Sequence, residues 1–265
     1  NVDIKLIQQE GIALGDYLIT EAINKLNSKI NSLIIIPDGM LSNFNFGMLQ
    51  DENGNYLELK YNISHQYSAT LWDRLKERIS INKKYDFVGY AYNNNSTKYL
   101  AERTCQSITP SNLKCSLEEI EDIEKCLVGR NYYRLKSDLD NIFKIGNDSK
   151  ILHLATHACA DALNPDQSKI YFNNDEITSG DIQLQKIDAD LVVLSACESG
   201  FGKVYQGEGT MSLAKSFFHA GAKSAVVSLW PVDDCTTAEL MKYFYENLNQ
   251  GQAKDEALRN AKQHY

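Results

Sequence analysis

Two residues capable of nucleophilic chemistry, His157 and Cys197, each follow a short apolar segment of the chain. The first segment reads Ile-Leu-His-Leu-Ala-Thr over residues 151–156, and the second reads Leu-Val-Val-Leu-Ser-Ala over residues 191–196. Both segments are typical of buried parallel strands. Ligands bind beyond the carboxyl ends of such strands, so two neighbouring strands would bring both residues to one crevice. An imidazole beside a thiol can hold the sulfur as a thiolate, and the pair therefore predicts a cysteine nucleophile with a histidine base.

Other groups at these strand ends have alternative interpretations. The backbone N–H groups of Ala158 and Cys197 could form an oxyanion hole. Equally, Cys197 could be an inert buried thiol and His157 a hydrogen-bonded core histidine. His153 lies four residues before His157 on the same side of the strand, and we interpret it as structural or as support for the strand end. Cys159 is a rival nucleophile, but it falls in a loop rather than on the second strand.

Two further motifs are weaker alternatives. His153, His157, Cys159 and Asp161 could form a metal cluster, but ligands so close along one extended segment would require the chain to curl. We therefore expect no metal and no cofactor. The glycine-rich segment 199–207 resembles the end of a protein kinase loop, yet the chain lacks the V-A-I-K lysine, H-R-D and D-F-G. A kinase is excluded on that ground.

The elements that must position these residues alternate between strand and helix patterns. Strands are predicted at 33–36, 61–67, 87–92, 132–135 and 224–230, in addition to the two segments above. Helices are predicted over 2–31, 68–78, 116–127, 137–145, 210–220 and 236–248, and again after 251. Ser116 and Glu119 are interpreted as a capping box that opens the third helix. The alternation predicts an α/β fold with a mainly parallel sheet covered by helices on both faces.

The predicted organisation is an N-terminal α/β layer over residues 1–84, packed on or extending the sheet of a catalytic unit over residues 85–265. The 265 residues are 43% hydrophobic, which is enough for one large or two small cores. The net charge of -8, without a basic run, disfavours nucleic-acid and anionic-membrane partners. No apolar stretch reaches the ~20 residues of a membrane helix, and no signal peptide is recognisable.

The six cysteines contain no C-x-x-C motif, and we expect reduced thiols in a cytosolic setting. Because the chain begins at Asn1, we also expect it to be a fragment of a longer protein.

Acidic and aromatic residues follow the predicted strand at 224–230. Trp230, Asp233 and Asp234 would lie near the same crevice, where the carboxylates could favour a basic substrate side chain. Asp234 could instead cap a helix that starts at Thr236. Trp230 could line a substrate groove or pack in the core.

An ordered set of motifs accompanies the two candidate catalytic residues. The motifs are Ile-Ile-Pro-Asp-Gly-Met-Leu at 35–41, His-Leu-Ala-Thr-His-Ala at 153–158, Leu-Ser-Ala-Cys-Glu-Ser-Gly at 194–200, Gly-Glu-Gly at 207–209, Ala-Gly-Ala at 220–222 and Ser-Leu-Trp-Pro-Val-Asp-Asp at 228–234. This set resembles the CHAT domain, a caspase-like protease domain often found with tetratricopeptide repeats. The resemblance implies a caspase-like cysteine endopeptidase with His157 and Cys197 as its dyad. It also implies a mobile activation loop that contains Gly202, Gly207, Glu208 and Gly209.

Three positions depart from the family pattern. Ala158 stands where glycine is common but keeps its N–H, and Ser199 replaces a common threonine. Related metacaspases carry an acidic, substrate-binding residue two positions before the nucleophile, where this chain has Ser195. Ser195 therefore joins Trp230, Asp233 and Asp234 as a candidate substrate-binding residue.

The resemblance further implies a protein substrate and latency until upstream tetratricopeptide repeats or a sensor complex activate the domain. We accordingly expect a cytoplasmic protein of bacterial defence, with no membrane or direct nucleic-acid partner. The alternatives are a catalytically idle scaffold and a non-proteolytic cysteine hydrolase or transferase.

Overall fold

A computed structural model describes residues 4–78, 82–93, 113–127, 130–135, 139–161, 163–195, 203–205, 209–211 and 213–264. The first part of the chain forms a small layer of short elements. They are α1 (Ile4–Gly15), a π-helical segment (Asp16–Thr20), α2 (Glu21–Asn24), β1 (Ser32–Ile35), two 3-10 helices (Gly39–Asn43 and Phe46–Met48), α3 (Leu57–Lys60), β2 (Asn62–His65) and α4 (Ala69–Glu77).

This layer has its own sheet and its own core. Strands β1 and β2 pair in parallel, and Phe46, Leu49, Leu57 and Tyr61 are buried beside them. Helix α4 begins where predicted, because the Ser68 side chain accepts a hydrogen bond from the backbone N–H of the helix's first turn. The strands predicted at 33–36 and 61–67 and the helix predicted at 68–78 are thus confirmed in type and approximate position. The helix predicted over 2–31 ends earlier, at Asn24.

The rest of the chain alternates between strands and helices. Its elements are β3 (Tyr85–Ala91), α5 (Ser116–Cys126), β4 (Tyr132–Leu135), α6 (Leu139–Asn147), β5 (Ser149–Ala155), β6 (Ala158–Cys159), β7 (Lys169–Tyr171), β8 (Glu176–Thr178), α7 (Ser179–Gln183), β9 (Leu191–Ser195), β10 (Lys203–Tyr205), β11 (Gly209–Met211), α8 (Leu213–Ala220), β12 (Ala225–Val227), α9 (Asp234–Asn249) and α10 (Lys254–His264).

Five of these strands form one parallel sheet in the order β12-β9-β5-β3-β4. Alternate residues of the central strands enter two separate cores. Leu152 and Leu194 pack on one face with Phe217 of α8, whereas Val193 packs on the other with Phe244 of α9. Because both faces are covered, the strands read as continuous apolar runs. The predicted mainly parallel sheet with helices on both faces is confirmed.

Two small antiparallel sheets were not predicted. Strands β6, β7 and β8 form one of them, directly after His157, and β10 and β11 form a hairpin. The helix expected from Thr210 accordingly begins at Leu213, since the preceding residues belong to β11. Within the described ranges, no helix has the length and apolar composition needed to cross a bilayer.

The prediction of six reduced thiols is wrong. Cys115, just before α5, and Cys235, in the first turn of α9, form a disulfide with their Cα atoms 5.0 Å apart. Cys159 is disulfide-bonded as well, whereas Cys126 is a free thiol. The first pair lies 120 residues apart in sequence, so only the packing of α5 against α9 reveals it. Reduced thiols were the reason to expect a cytosolic setting, and the disulfides remove that reason.

Candidate active site

The carboxyl ends of β5 and β9 lie side by side, as predicted. Ala155 and Ser195, the last residues of the two strands, are register partners. One residue further on, the Thr156 N–H donates to the Ser195 carbonyl at 3.2 Å. The chain that continues to His157 and the chain that continues to Cys197 therefore start from adjacent points. Cys197 itself lies outside the described residues.

The backbone at His157 is held from two sides. Tyr92, the residue after β3, donates its N–H to the Ala155 carbonyl at 2.8 Å, and the Tyr171 N–H of β7 donates to the His157 carbonyl at 3.0 Å. The buried Thr156 hydroxyl also donates to the Tyr171 carbonyl. The half-buried imidazole packs edge-on against the Tyr92 ring, with 5.1 Å between ring centroids. These contacts position a partly accessible imidazole at the strand end.

Ala158, a candidate oxyanion donor, is the first residue of β6 and pairs with Ile170. Strand geometry is extended, which alanine adopts without strain, so the replacement of the family's glycine is accommodated here. Its role as a donor stays a prediction.

His153 is a core residue, in agreement with the structural interpretation. Its ring is fully buried, with Nδ1 2.9 Å from the Tyr245 hydroxyl and Nε2 2.9 Å from Glu119 Oε1. The other Glu119 oxygen accepts a hydrogen bond from the Ser195 hydroxyl at 3.0 Å. Ser195 thus lies at the end of β9, half-buried and in contact with a buried carboxylate.

The capping box predicted for Ser116 and Glu119 does not form. The α5 N-cap is Cys115, and the Ser116 hydroxyl donates instead to the Tyr92 carbonyl at 2.6 Å. Glu119 is only 1% exposed and faces the sheet, because it shares the apolar side of α5 with Ile123. That helical spacing was the signal that could have identified Glu119 as a site residue.

The two acidic residues at the start of α9 have structural partners. Asp233, not Asp234, is the N-cap, and its carboxylate accepts from the Thr236 N–H at 2.9 Å. That backbone hydrogen bond lowers the pKa of Asp233 below its ordinary value. Asp234 accepts from the Cys115 N–H at 2.7 Å, which fastens the start of α5 to the start of α9. Trp230 is 47% exposed, so its indole is accessible to a ligand.

Part of the predicted activation loop can be located. Gly202, Gly207 and Glu208 lie outside the described residues, whereas Gly209 opens β11. The hairpin of β10 and β11 lies against the 3-10 helix Gly39–Asn43 of the N-terminal layer. The Pro-Asp-Gly-Met-Leu motif therefore contacts the segment that follows Cys197. No sequence pattern indicated this contact.

The alternative metal cluster does not form. His153 uses both ring nitrogens in hydrogen bonds, Cys159 is disulfide-bonded, and the Asp161 carboxylate accepts two backbone N–H groups of its own loop. In the part of the chain that the structure describes, one group has converging ligand atoms, namely Cys115, Asp234 and Cys235. Its two sulfurs are bonded to each other, so it is a disulfide with a neighbouring carboxylate.

Comparisons with known proteins agree with this architecture. A family model described as the CHAT domain matches residues 8–265. Tetratricopeptide repeat protein 28 of Mus musculus is 32% identical over 75 residues, which is 28% of this chain and 3% of that protein. The Homo sapiens protein of the same name is 32% identical over 85 residues, covering 32% of this chain and 3% of its own length. The chain thus spans a small fraction of these relatives.

Among solved structures, the fold is similar to that of the Arg-specific cysteine proteinase gingipain R. The TM-score is 0.56, with 11% sequence identity over 98% of this chain and 62% of that chain. This likeness confirms the caspase-like α/β fold.

Proposed function

Because this chain belongs to the CHAT domain family, we propose that it is a cysteine endopeptidase in which Cys197 is the nucleophile and His157 the general acid and base. The observation that carries the proposal is the pairing of Ala155 with Ser195, since the polypeptide leaves both strands at neighbouring points. A half-buried imidazole beside that point suits proton transfer, because it stays accessible to substrate while Tyr92 restricts its ring.

The proposed reaction is an acyl transfer. The Cys197 thiolate attacks the scissile carbonyl carbon, and the N–H groups of Ala158 and Cys197 stabilise the oxyanion. As the C–N bond breaks, the His157 imidazolium gives its proton to the leaving amine. Water then hydrolyses the thioester, with neutral His157 accepting the proton of the attacking water. Ser195, Trp230, Asp233 and Asp234 are the proposed contacts of the substrate peptide.

We further propose that activity is regulated through the N-terminal layer. The contact between the β10–β11 hairpin and the helix Gly39–Asn43 supports this. A displacement of the layer would also move the hairpin, which follows Cys197 in the sequence. The tetratricopeptide repeat protein among the relatives supports repeats of that kind as the upstream partner. The substrate is a protein that is cut when this input arrives.

An acyloxymethyl ketone probe tests the nucleophile. We expect covalent labelling of Cys197, its loss in Cys197→Ala, and a decrease of about 10²–10⁴-fold in His157→Ala. Cys126→Ala is the matched control: burial and the nearby Glu246 carboxylate raise the pKa of the Cys126 thiol, so this free cysteine stays protonated and labels slowly.

A second measurement detects activity even if the isolated domain is latent. New protein N-termini are compared between cells that express the complete protein and cells that express its Cys197→Ala variant. If the two cell populations have the same protein N-termini and the probe does not label the protein, the endopeptidase proposal is contradicted. The catalytically idle scaffold is then the better interpretation. Labelling that survives Cys197→Ala would move the nucleophile to another cysteine.

A further inference from the structure

A buried chain of polar side chains ends beside the proposed dyad, and the dyad chemistry does not use it. Ser195 Oγ lies 3.0 Å from one oxygen of Glu119. The other Glu119 oxygen lies 2.9 Å from His153 Nε2, and His153 Nδ1 lies 2.9 Å from the Tyr245 hydroxyl. Glu119, His153 and Tyr245 are at most 1% exposed, whereas Ser195 is half-buried. The chain links α5 and α9 to the last residue of β9.

With a Glu119 carboxylate and a neutral His153 imidazole, the hydrogen bonds between these side chains can form with only one placement of the hydrogens. Burial, reinforced by the Glu119 carboxylate, raises the pKa of Tyr245 well above its ordinary value, so its hydroxyl keeps a hydrogen to donate. The hydroxyl donates to His153 Nδ1, and His153 Nε2–H then donates to Glu119. The second carboxylate oxygen receives the Ser195 hydrogen, because a carboxylate only accepts. The first turn of α5, which contains Glu119, favours the negative charge.

The orientation of Ser195 determines what it can offer a substrate. A serine hydroxyl has one hydrogen and two lone pairs. Since the hydrogen points inward to Glu119, the accessible side of the oxygen carries lone pairs only. The negative charge lies one hydrogen bond behind it, in an interior where charge is weakly screened. The end of β9 is therefore an acceptor site.

We propose that Glu119 is a specificity-determining residue that acts through Ser195 and selects substrate side chains that donate hydrogen bonds, cationic ones above all. This inference rests on the proposed endopeptidase function. Ser195 lies where peptide would bind, at the carboxyl edge of the sheet two residues before Cys197. The side chain before the scissile bond is thus expected to be lysine or arginine, and an acidic side chain is rejected because no donor faces it.

A second carboxylate lies at the same end of α5. Asp234 accepts from the N–H of Cys115, the residue that precedes this helix. The hydrogen bond from the Thr236 N–H and, to a smaller extent, the Lys114 charge lower the pKa of Asp233. Glu119 differs from both acidic residues because it is buried and in contact with a residue of the strand end.

Paired acyloxymethyl ketone probes test the inference on the complete protein. One probe carries lysine before the reactive group and its partner carries norleucine, which has nearly the same shape without the ammonium group. The measurement is the ratio of their labelling rates at Cys197. We expect lysine to be favoured by about tenfold or more, as for a hydrogen bond to a charged group. In Glu119→Gln the charge is lost and the ratio decreases about 10–100-fold, with a parallel decrease in Ser195→Ala.

Tyr245→Phe is the matched control, because it removes a hydroxyl from the far end of the same chain and leaves Glu119 and Ser195 in contact. We expect a lower melting temperature and an unchanged ratio. An equal change of the ratio in Tyr245→Phe would mean that the chain is only structural, and the inference would be overturned. Equal labelling of wild-type Cys197 by both probes would also overturn it while the protease stands, whereas no labelling by either probe contradicts the protease itself. If Glu119→Gln does not fold, the labelling ratio of Ser195→Ala tests the inference instead, because Ser195 is only half-buried.

Discussion

The five-stranded sheet and the N-terminal layer differ in how completely their strands are covered. Both faces of the large sheet are covered, and Phe217 and Phe244 are fully buried against it. The layer has two paired strands, and Ile34, Ile36 and Met40 around β1 are exposed. A two-stranded sheet is marginal without further packing. The large sheet supports its strand ends from both faces, and we expect the layer to open at a lower free energy than this sheet.

Polar contacts attach the layer to the larger unit. Lys262 of α10 forms an ion pair with Glu58 at 2.7 Å, and Gln263 donates to the Leu59 carbonyl at 2.9 Å. Directly after α4, Arg78 pairs with Asp188 at 2.8 Å. Both ion pairs are partly exposed to solvent, and pairs that keep contact with solvent contribute about 1 kcal/mol or less each. One aromatic contact adds to them, because Tyr67 packs edge-on against Phe218 of α8 with 5.6 Å between ring centroids.

The largest difference is expected from truncation in the two cores. Phe244→Ala leaves a cavity between α9 and the sheet and should lower the free energy of unfolding by about 3–5 kcal/mol. Leu49→Ala, at an equally buried position of the layer, should destabilise the layer alone. Hydrogen exchange measures both: Phe244→Ala accelerates exchange throughout, and Leu49→Ala accelerates it only in residues 4–77. Global acceleration in both variants would mean that the two regions are one cooperative unit.

An intermediate effect is expected from the disulfide. Cys115→Ser with Cys235→Ser removes a crosslink that closes a long loop within the larger unit, which should cost about 2–4 kcal/mol. The midpoint of denaturant unfolding measures the loss. Because the crosslink lies outside the layer, we expect the stabilities of the two regions to become more alike. Addition of reductant to the wild type should lower the midpoint at least as much, and the effect of reductant on the double variant measures the separate contribution of the Cys159 disulfide.

The smallest effect on stability is expected from a decrease in pH, and the layer should lose stability at a higher pH than the larger unit. His65 lies in the layer, where the surrounding protein and then the Lys262 charge lower its pKa below 6.5. The unfolded layer therefore binds the proton first, and its stability decreases as pH falls below about 6.5. In the larger unit, the hydrogen bond from Lys150 lowers the pKa of Asp86 below 3.8, so that contribution persists until pH falls through the lowered value.

Hydrogen exchange of the two regions against pH checks this order. Glutamine does not titrate, so His65→Gln should remove the decrease in the layer's protection from exchange between pH 7 and 5. Protection in the rest of the chain should not change. Loss of protection in the large sheet before the layer would reverse the comparison.

The large sheet could be predicted from sequence because its central strands are buried on both sides and leave continuous apolar runs. The same runs located His157 at a strand end. The position of the Glu119 carboxylate is ambiguous from sequence, since Glu119 has the spacing of a capping box with Ser116 and also lies on the apolar side of α5. Long-range burial decides between the two arrangements. The pairing of Cys115 with Cys235 likewise depends on how two distant helices pack.

The Cys115–Cys235 bond also sets the covalent topology of the molecule. It closes a ring of polypeptide that contains both His157 and Cys197, together with the β10–β11 hairpin. A single backbone cut anywhere in that ring leaves the two pieces as one covalent molecule, with both proposed catalytic residues retained. Such a nicked chain migrates as two fragments on a reducing gel and as one species on a non-reducing gel.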